Sequence, residues 1–326
     1  MSKPRITIVG LGLIGGSIGL ALRQTGNDCE VVGHDREHAV AGKARKLGAV
    51  SKTEWNLVSA CEEADLIIIA TPVMAIKETL TAIASYLKPG CLITDTASIK
   101  GPVMAWAKEI LPDTVNFVGG DPIISQGLSQ EAIATGSLPT GIEGARADLF
   151  QGGLYCLTPS PEAAPQAVQL ATDLVHLLGA SPFFLDAAEH DGLMAGVDHL
   201  PFILSTALLE TAVQSPAWRE MRKLAGDAFQ SVTRFSSGDA ATYRDACLTN
   251  GENIVRWIDA CLARLGELRE VIAAQEAEKL EKIFEEAMSV RDKWLTDKAE
   301  GRWELVEEPS TSIPKQSLLR RFIGIG

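Results

Sequence analysis

Positive charge is what this chain has too little of. Its 30 Lys and Arg face 42 Asp and Glu, a net charge of -12 over 326 residues. A broad nucleic-acid or anionic-membrane footprint needs concentrated positive potential, so neither partner is expected. A small anionic substrate stays open, because a few local cations can outweigh a distant negative background. Paired cysteines are missing as well: Cys29, Cys61, Cys91, Cys156, Cys247 and Cys261 form no CxxC, which reads as reduced thiols in a cytoplasmic protein. The five histidines fall at no metal-ligand spacing and there is no HExxH, so no metal is expected. No unbroken run of 18 apolar residues points to a membrane span. Glycines at 10, 12, 15, 16 and 19 interrupt the apolar start, a poor fit to a signal peptide.

Apolar residues make up 46% of the chain, enough for a substantial core, and the length suits two domains. Ile6-Thr7-Ile8-Val9 reads as a buried strand, with a glycine turn and a helix after it, and Cys29–Asp35 returns to extended structure. Asp65–Ala70 is apolar on both faces, as a strand in the middle of a parallel sheet must be. The alternation continues to a last edge strand at Phe183-Phe184-Leu185. Beyond about residue 187 apolar spacing of three and four takes over. The expected fold class is α/β: a Rossmann-like doubly wound sheet over residues 1–187, an all-helical substrate-binding and dimerisation domain over 188–300, and a tail over 301–326. The longest helix, Glu252 to Lys298, exceeds usual globular length and invites either a break near Gly266 or a role in subunit association.

Gly10-Leu11-Gly12-Leu13-Ile14-Gly15 places GxGxxG between a strand and a helix, where its physics works. Gly10 permits the tight turn, Gly12 lets a pyrophosphate approach the backbone, and Gly15 lets helix and strand pack closely. The phosphates then meet the helix N-terminus near Leu13 and Ile14. Asp35, 20 residues past Gly15, suits the ribose hydroxyls and favours NAD over NADP, although the neighbouring Arg36 could pair with a 2′-phosphate. Thr71-Pro72 ends the central strand beside the cofactor. Ser98 and Lys100 follow the next strand, on the carboxyl edge where such sheets bind ligands; a helix cap at Ser98 is the alternative. His190-Asp191 and Asp198-His199-Leu200-Pro201 stand at the entrance to the helical part, where capping and packing compete with a functional role.

Together GLGLIGGS (10–17), ATP (70–72), DTASIKG (95–101), LF (149–150), LTP (157–159), EHD (189–191) and DHLP (198–201) resemble the prephenate and arogenate dehydrogenases of tyrosine biosynthesis. Thr233-Arg234, Tyr243-Arg244-Asp245 and Asn250 fit the same pattern, and the likeness runs over roughly residues 5–270. The resemblance implies NAD(P)-dependent oxidative decarboxylation of a cyclohexadienol by a homodimer. It would put Ser98 near the ring hydroxyl, His199 in the substrate pocket, and Arg234 on a substrate carboxylate, a role suited to bidentate guanidinium. Lys100 would be a weaker second cation, or a stabiliser of its own loop.

The sequence departs from that family at its catalytic histidine. The GGHP pattern appears as Gly119-Gly120-Asp121-Pro122, followed by Ile123-Ile124-Ser125-Gln126-Gly127 and an apparent insertion over 128–139. Asp198 stands for a usual serine, and Phe202 for a usual second histidine. Taking hydride from a carbon bearing OH requires that the hydroxyl proton be accepted. The candidate catalytic residues are therefore Asp121, Ser98 and His199, with Arg234, Lys100 and Gln126 as substrate contacts. An NAD-dependent dehydrogenase of another small hydroxy acid, or a catalytically weak cofactor-binding homologue, is the alternative.

Overall fold

The computed structural model describes residues 3–24, 26, 29–124, 141–237 and 240–301; Gln126, the 128–139 segment and the tail from residue 302 lie outside them. The sheet is built from β1 (Arg5–Val9), β2 (Glu30–His34), β3 (Lys52–Thr53), β4 (Leu66–Ile69), β5 (Leu92–Asp95), β6 (Asn116–Ile123), β7 (Leu154–Pro159) and β8 (Ser181–Phe184). Its order is β3-β2-β1-β4-β5-β6-β7-β8. All pairings are parallel except β6 with β7. The crossovers are α1 (Leu13–Gln24), α2 (His38–Lys46), α3 (Leu57–Cys61), α4 (Val73–Ile83), α5 (Gly101–Ile110) and, between β7 and β8, α6 (Pro165–Leu177).

The sequence of β4 shows why both faces must be covered. Leu66 and Ile68 join one apolar cluster, with residues of α1 and α6, while Ile67 and Ile69 join the other, with residues of α4 and α5. Strand side chains alternate faces, so four consecutive apolar residues feed two cores. β1 leads through α1 to β2 on one side while its neighbour β4 leads through α4 to β5 on the other, so the two connections diverge and open a crevice at the carboxyl edge.

The helical part comprises α7 (Ala187–Met194), α8 (Leu200–Val213), α9 (Trp218–Leu224), α10 (Asp227–Thr233), α11 (Ala240–Thr249), α12 (Gly251–Ala273) and α13 (Ala277–Glu300). A π turn over Ala195–His199 joins α7 to α8, with the Leu200 N–H reaching back to the Ala195 carbonyl. Pro201 next in line has no N–H to give, which favours such a local slip in the hydrogen-bond ladder. By its contacts the chain forms two compact units, one running to Ile254 and the other starting at Val255.

Several expectations need correction. The long helix breaks at Gln275, which has φ 55°, and not near Gly266, whose α-helical setting holds. β3 and α10 carried too short a pattern to be read. β6 runs on past its glycines to Ile123, because β7 pairs Asp121 with Cys156 and Pro122 with Tyr155. The run Ala187–Val213 is long and apolar enough, by length and composition, to cross a membrane. Its buried His190, Asp191 and His199 are instead hydrogen-bonded to groups of the sheet and of α11's C-terminal end.

Candidate active site

Two features meet the carboxyl edge of the sheet. The first is a cleft of about 550 Å³ whose lining includes Gly10, Gly12, Asp35, Arg36, Thr71 and Pro72. Gly10 has φ +90°, and a Cβ there would stand 2.5 Å from the Ala70 carbonyl oxygen. A Cβ on Gly15 would lie 1.9 Å from the Gly10 carbonyl oxygen, so α1 can approach β1 only with glycine here. Gly12 is different: a Cβ would meet nothing within 4 Å, leaving its backbone open to the cleft. Leu13 and Ile14 begin α1 with side chains packed against the core, so what they offer a ligand is main-chain N–H.

Asp35 fixes this loop. Its Oδ2 accepts the Leu11 N–H at 2.8 Å and its Oδ1 the Glu37 N–H at 2.9 Å. Each carboxylate oxygen keeps capacity for a further donor. Thr71 Oγ1 is buried with no hydrogen-bond partner among the described residues, and an orphaned hydroxyl in the cleft lining fits a polar ligand. Open glycine backbone, a helix N-terminus, an acid at the end of β2 and this hydroxyl together match the parts of a dinucleotide.

The second feature is a buried polar cluster centred on His190. Its Nε2 lies 3.1 Å from Asp121 Oδ2 and its Nδ1 3.0 Å from Asp191 Oδ1. Asp121 comes from β6 and is 4% exposed; His190 is fully buried. Asp191 also accepts the N–H of Lys100 at 2.6 Å and of Gly101 at 2.8 Å, capping the first turn of α5. That turn carries the positive end of the helix dipole, so a carboxylate is stabilised there. Burial works against a charge on His190, but the bonds to Asp121 and Asp191 outweigh it and push the ring up to about 11.

Beside it, the Asn250 amide donates to the Asp191 carbonyl at 2.8 Å and faces His199 Nδ1 at 3.3 Å. This assigns the His199 proton to Nε2, which is buried, without a hydrogen-bond partner among the described residues, and 3.7 Å from Asp198 Oδ2. Burial holds His199 down at about 4, so it is neutral near pH 7. Phe202 stacks on Tyr243 at 4.2 Å and meets His199 edge-on at 6.4 Å.

The structure brings Asp121 and His199 into one neighbourhood through His190, Asp191 and Asn250. Ser98 lies half-buried in the β5–α5 loop. It is not the helix cap, since Lys100 holds the N-cap position of α5. The expectation of Lys100 as a substrate cation is corrected: its side chain is fully buried, its ammonium bonded to Asp95 and, at 2.8 Å, to the Gly120 carbonyl. Burial pushes the Asp95 carboxyl up, opposed by Lys100 and by the N–H groups of Ala97 and Gly120. Arg234 lies exposed in a 3-10 turn packed against α8, its guanidinium 4.8 Å from the Phe235 ring centroid. It does not join the Asp121–His190–Asp191 chain. The role of His190 escaped the sequence reading; the EHD match marked the residue, but nothing local tied it to Asp121, 69 positions away.

A glycine-turn cleft at the switch point of a parallel sheet, beside a buried acid–base cluster, defines a dinucleotide-dependent oxidoreductase. Profiles narrow this: the nucleotide-binding domain of prephenate dehydrogenase matches residues 18–183, and its dimerization domain residues 186–286. The chain belongs to the prephenate dehydrogenase family. It is 32% identical to the prephenate dehydrogenase of Bacillus subtilis (strain 168) over 294 residues, covering 89% of this chain and 76% of that protein. The crystal structure of prephenate dehydrogenase from A. aeolicus in complex with hydroxyphenyl propionate and NAD+ superposes with a TM-score of 0.81 at 25% identity, covering 90% of this chain and 99% of that one. The Synechocystis arogenate dehydrogenase structure gives 0.73 at 25% identity, with 89% and 99% covered.

Proposed function

We propose that this protein is an NAD-dependent dehydrogenase that oxidatively decarboxylates prephenate or arogenate, in the cytoplasm and as a homodimer. The observation that carries the reading is the cleft that Gly12, Asp35 and Thr71 line, in a chain of this family. Bound there, NAD would supply the hydride acceptor. Gly10, Gly12 and Gly15 would bring the first turn of α1, with Leu13 and Ile14, against its pyrophosphate; Asp35 would take the ribose hydroxyls, with Thr71 and Pro72 along the remaining wall.

Asp121 is the proton acceptor in this reading. Among the described residues its second carboxylate oxygen accepts no hydrogen bond, so it is available to a substrate hydroxyl. Ser98 and the His199 Nε2–H are hydrogen-bonding groups for the same end of the substrate. Arg234 and Gln126 are proposed for the carboxylates. Helices 188–300 supply this substrate side and the dimer contact. Leu204 and Leu208 are exposed on α8, and Trp257, Leu262 and Leu265 on α12; each helix by itself offers apolar surface for association.

Purified protein assayed with prephenate and arogenate, each with NAD and NADP, tests the reading. Reduced cofactor forming fastest with NAD, at one substrate or both, supports it. No reduced cofactor in any pairing overturns it.

A further inference from the structure

A carboxylate where the family resemblance implies a catalytic histidine poses an electrostatic problem. Prephenate carries two negative charges, and an isolated Asp121 would repel it. The structure holds the answer in His190. Both its ring nitrogens lie within hydrogen-bond distance of carboxylate oxygens. Ionised carboxylates only accept, so two such bonds require a proton on each nitrogen, and the ring is an imidazolium. Asp191 spends its charge on the N-terminus of α5, which leaves the imidazolium to balance Asp121.

We propose that Asp121 and His190 act as one unit in place of the single histidine that the resemblance implies: Asp121 receives the substrate hydroxyl proton, and His190 is a positioning residue that keeps this carboxylate charged, aimed and electrically compensated. This rests on the dehydrogenase reading above. As hydride leaves the carbon for oxidised nicotinamide, the O–H bond breaks; its electron pair becomes the second C–O bond and its proton passes to Asp121. Loss of CO2 then breaks a C–C bond whose pair completes the aromatic ring. The carbonyl pair returns to oxygen, which recovers the proton from Asp121. No proton is consumed, and the pair is restored.

The groups facing His190 are Asp121 from β6, Cys156 from β7, Asp191 on its own helix, and Asp198 and His199 from the π turn. Lys100 and Asp95 lie behind the Gly120 carbonyl. Of these the two carboxylates that bond the ring set its charge, and both ends are anchored, one by β6 and the other by α5.

The test uses the full chain and four proteins: wild type, His190→Gln, Asp121→Asn and the double variant. His190→Gln is expected to lose about 100-fold in kcat, with KM for NAD unchanged and the acid limb of kcat/KM moved to higher pH. Asp121→Asn is expected to lose as much, and the double variant no more than the worse single, as for residues that act as a unit. Histidine 15N NMR of the unmodified protein at about pH 8 is expected to show one ring protonated on both nitrogens, absent from His190→Gln. Titration with NADH reports whether each variant keeps its cofactor cleft. A His190→Gln enzyme within threefold of wild type, losses that multiply in the double variant, or a neutral His190 ring overturns the proposal. If His190→Gln loses NADH binding, the wild-type spectrum decides. Wild type inert toward both substrates would overturn the functional reading and this inference together, whereas active wild type with active His190→Gln overturns this inference alone.

Discussion

Lys100 and Asp95 face each other with both side chains fully buried. The ammonium also holds the Gly120 carbonyl at 2.8 Å, and Asp95 Oδ1 accepts the Gly120 N–H at 3.1 Å. Both polar groups of the residue before Asp121 are thus tied to one ion pair. A basic residue in a family-like loop turns out to fix the strand that carries the proposed proton acceptor.

Removing one partner of such a pair leaves an uncompensated charge inside the protein, which costs about 3–5 kcal/mol. Lys100→Met is expected to lower the urea unfolding free energy by about that much. Released from the ammonium, β6 should also shift at Gly120, so kcat falls while the affinity for NADH, whose proposed pyrophosphate and ribose contacts lie on the loops after β1 and β2, is kept. A variant as stable as wild type would show that the pair contributes nothing net.

The cleft at the glycine turn was legible because its signal is local. Gly10, Gly12, Gly15 and Asp35 lie within 26 residues, and strand-turn-helix-strand leaves each one role. The acid–base half depends on contacts that no local pattern encodes. His190 reaches Asp121 across 69 residues, through the placement of α7 against β6. Lys100 left two readings open, a substrate cation or a stabiliser of its loop, and its buried bonds to Asp95 and Gly120 favour the second, which no charge in a loop reveals by itself. β3, two residues long, and the break at Gln275 have no periodic signature at all.

The two buried histidines predict opposite pH slopes in stability. His199 is held down at about 4, so between there and 6.5 the unfolded chain binds a proton that the folded one does not. Its contribution is full above about pH 6.5 and lost as pH falls toward 4, about 3 kcal/mol in all. His190 is pushed up to about 11; its contribution is full below about pH 6.5 and fades as pH rises toward 11. Chemical denaturation across this range should show a maximum near neutrality. His199→Gln should flatten the acid slope and His190→Gln the alkaline one; unchanged slopes in both would reject the assignment.

The glycines of the turn divide by what a methyl group would meet. Gly15→Ala puts a Cβ 1.9 Å from a carbonyl oxygen, so α1 must move from β1, and the melting temperature should fall by several degrees. Gly12→Ala places its methyl where no atom of the described residues lies within 4 Å. It should melt like wild type yet bind NADH roughly tenfold more weakly or worse, about 1.4 kcal/mol, because the methyl occupies the space proposed for the pyrophosphate. Thermal melts and fluorescence titration of both variants separate the two effects, and tight binding by Gly12→Ala would move the pyrophosphate elsewhere.

Cofactor choice follows from two adjacent residues of opposite charge. Asp35 directly follows β2 with its carboxylate in the cleft lining, held by the N–H groups of Leu11 and Glu37. A 2′-phosphate placed on the ribose would meet that negative charge at close range, while ribose hydroxyls would meet acceptors. Arg36 is exposed on the same cleft and makes no ion pair among the described residues. Replacing Asp35 by Ser removes the repulsion, leaves a hydroxyl able to accept one N–H, and lets Arg36 pair with the phosphate. The ratio of kcat/KM for NADP to that for NAD should rise at least tenfold, about 1.4 kcal/mol in differential binding. In Asp35→Ser with Arg36→Ala most of that gain should vanish, since the carboxylate would be gone but no cation would take its place. An unchanged ratio in Asp35→Ser would mean that the adenosine ribose does not sit against this carboxylate.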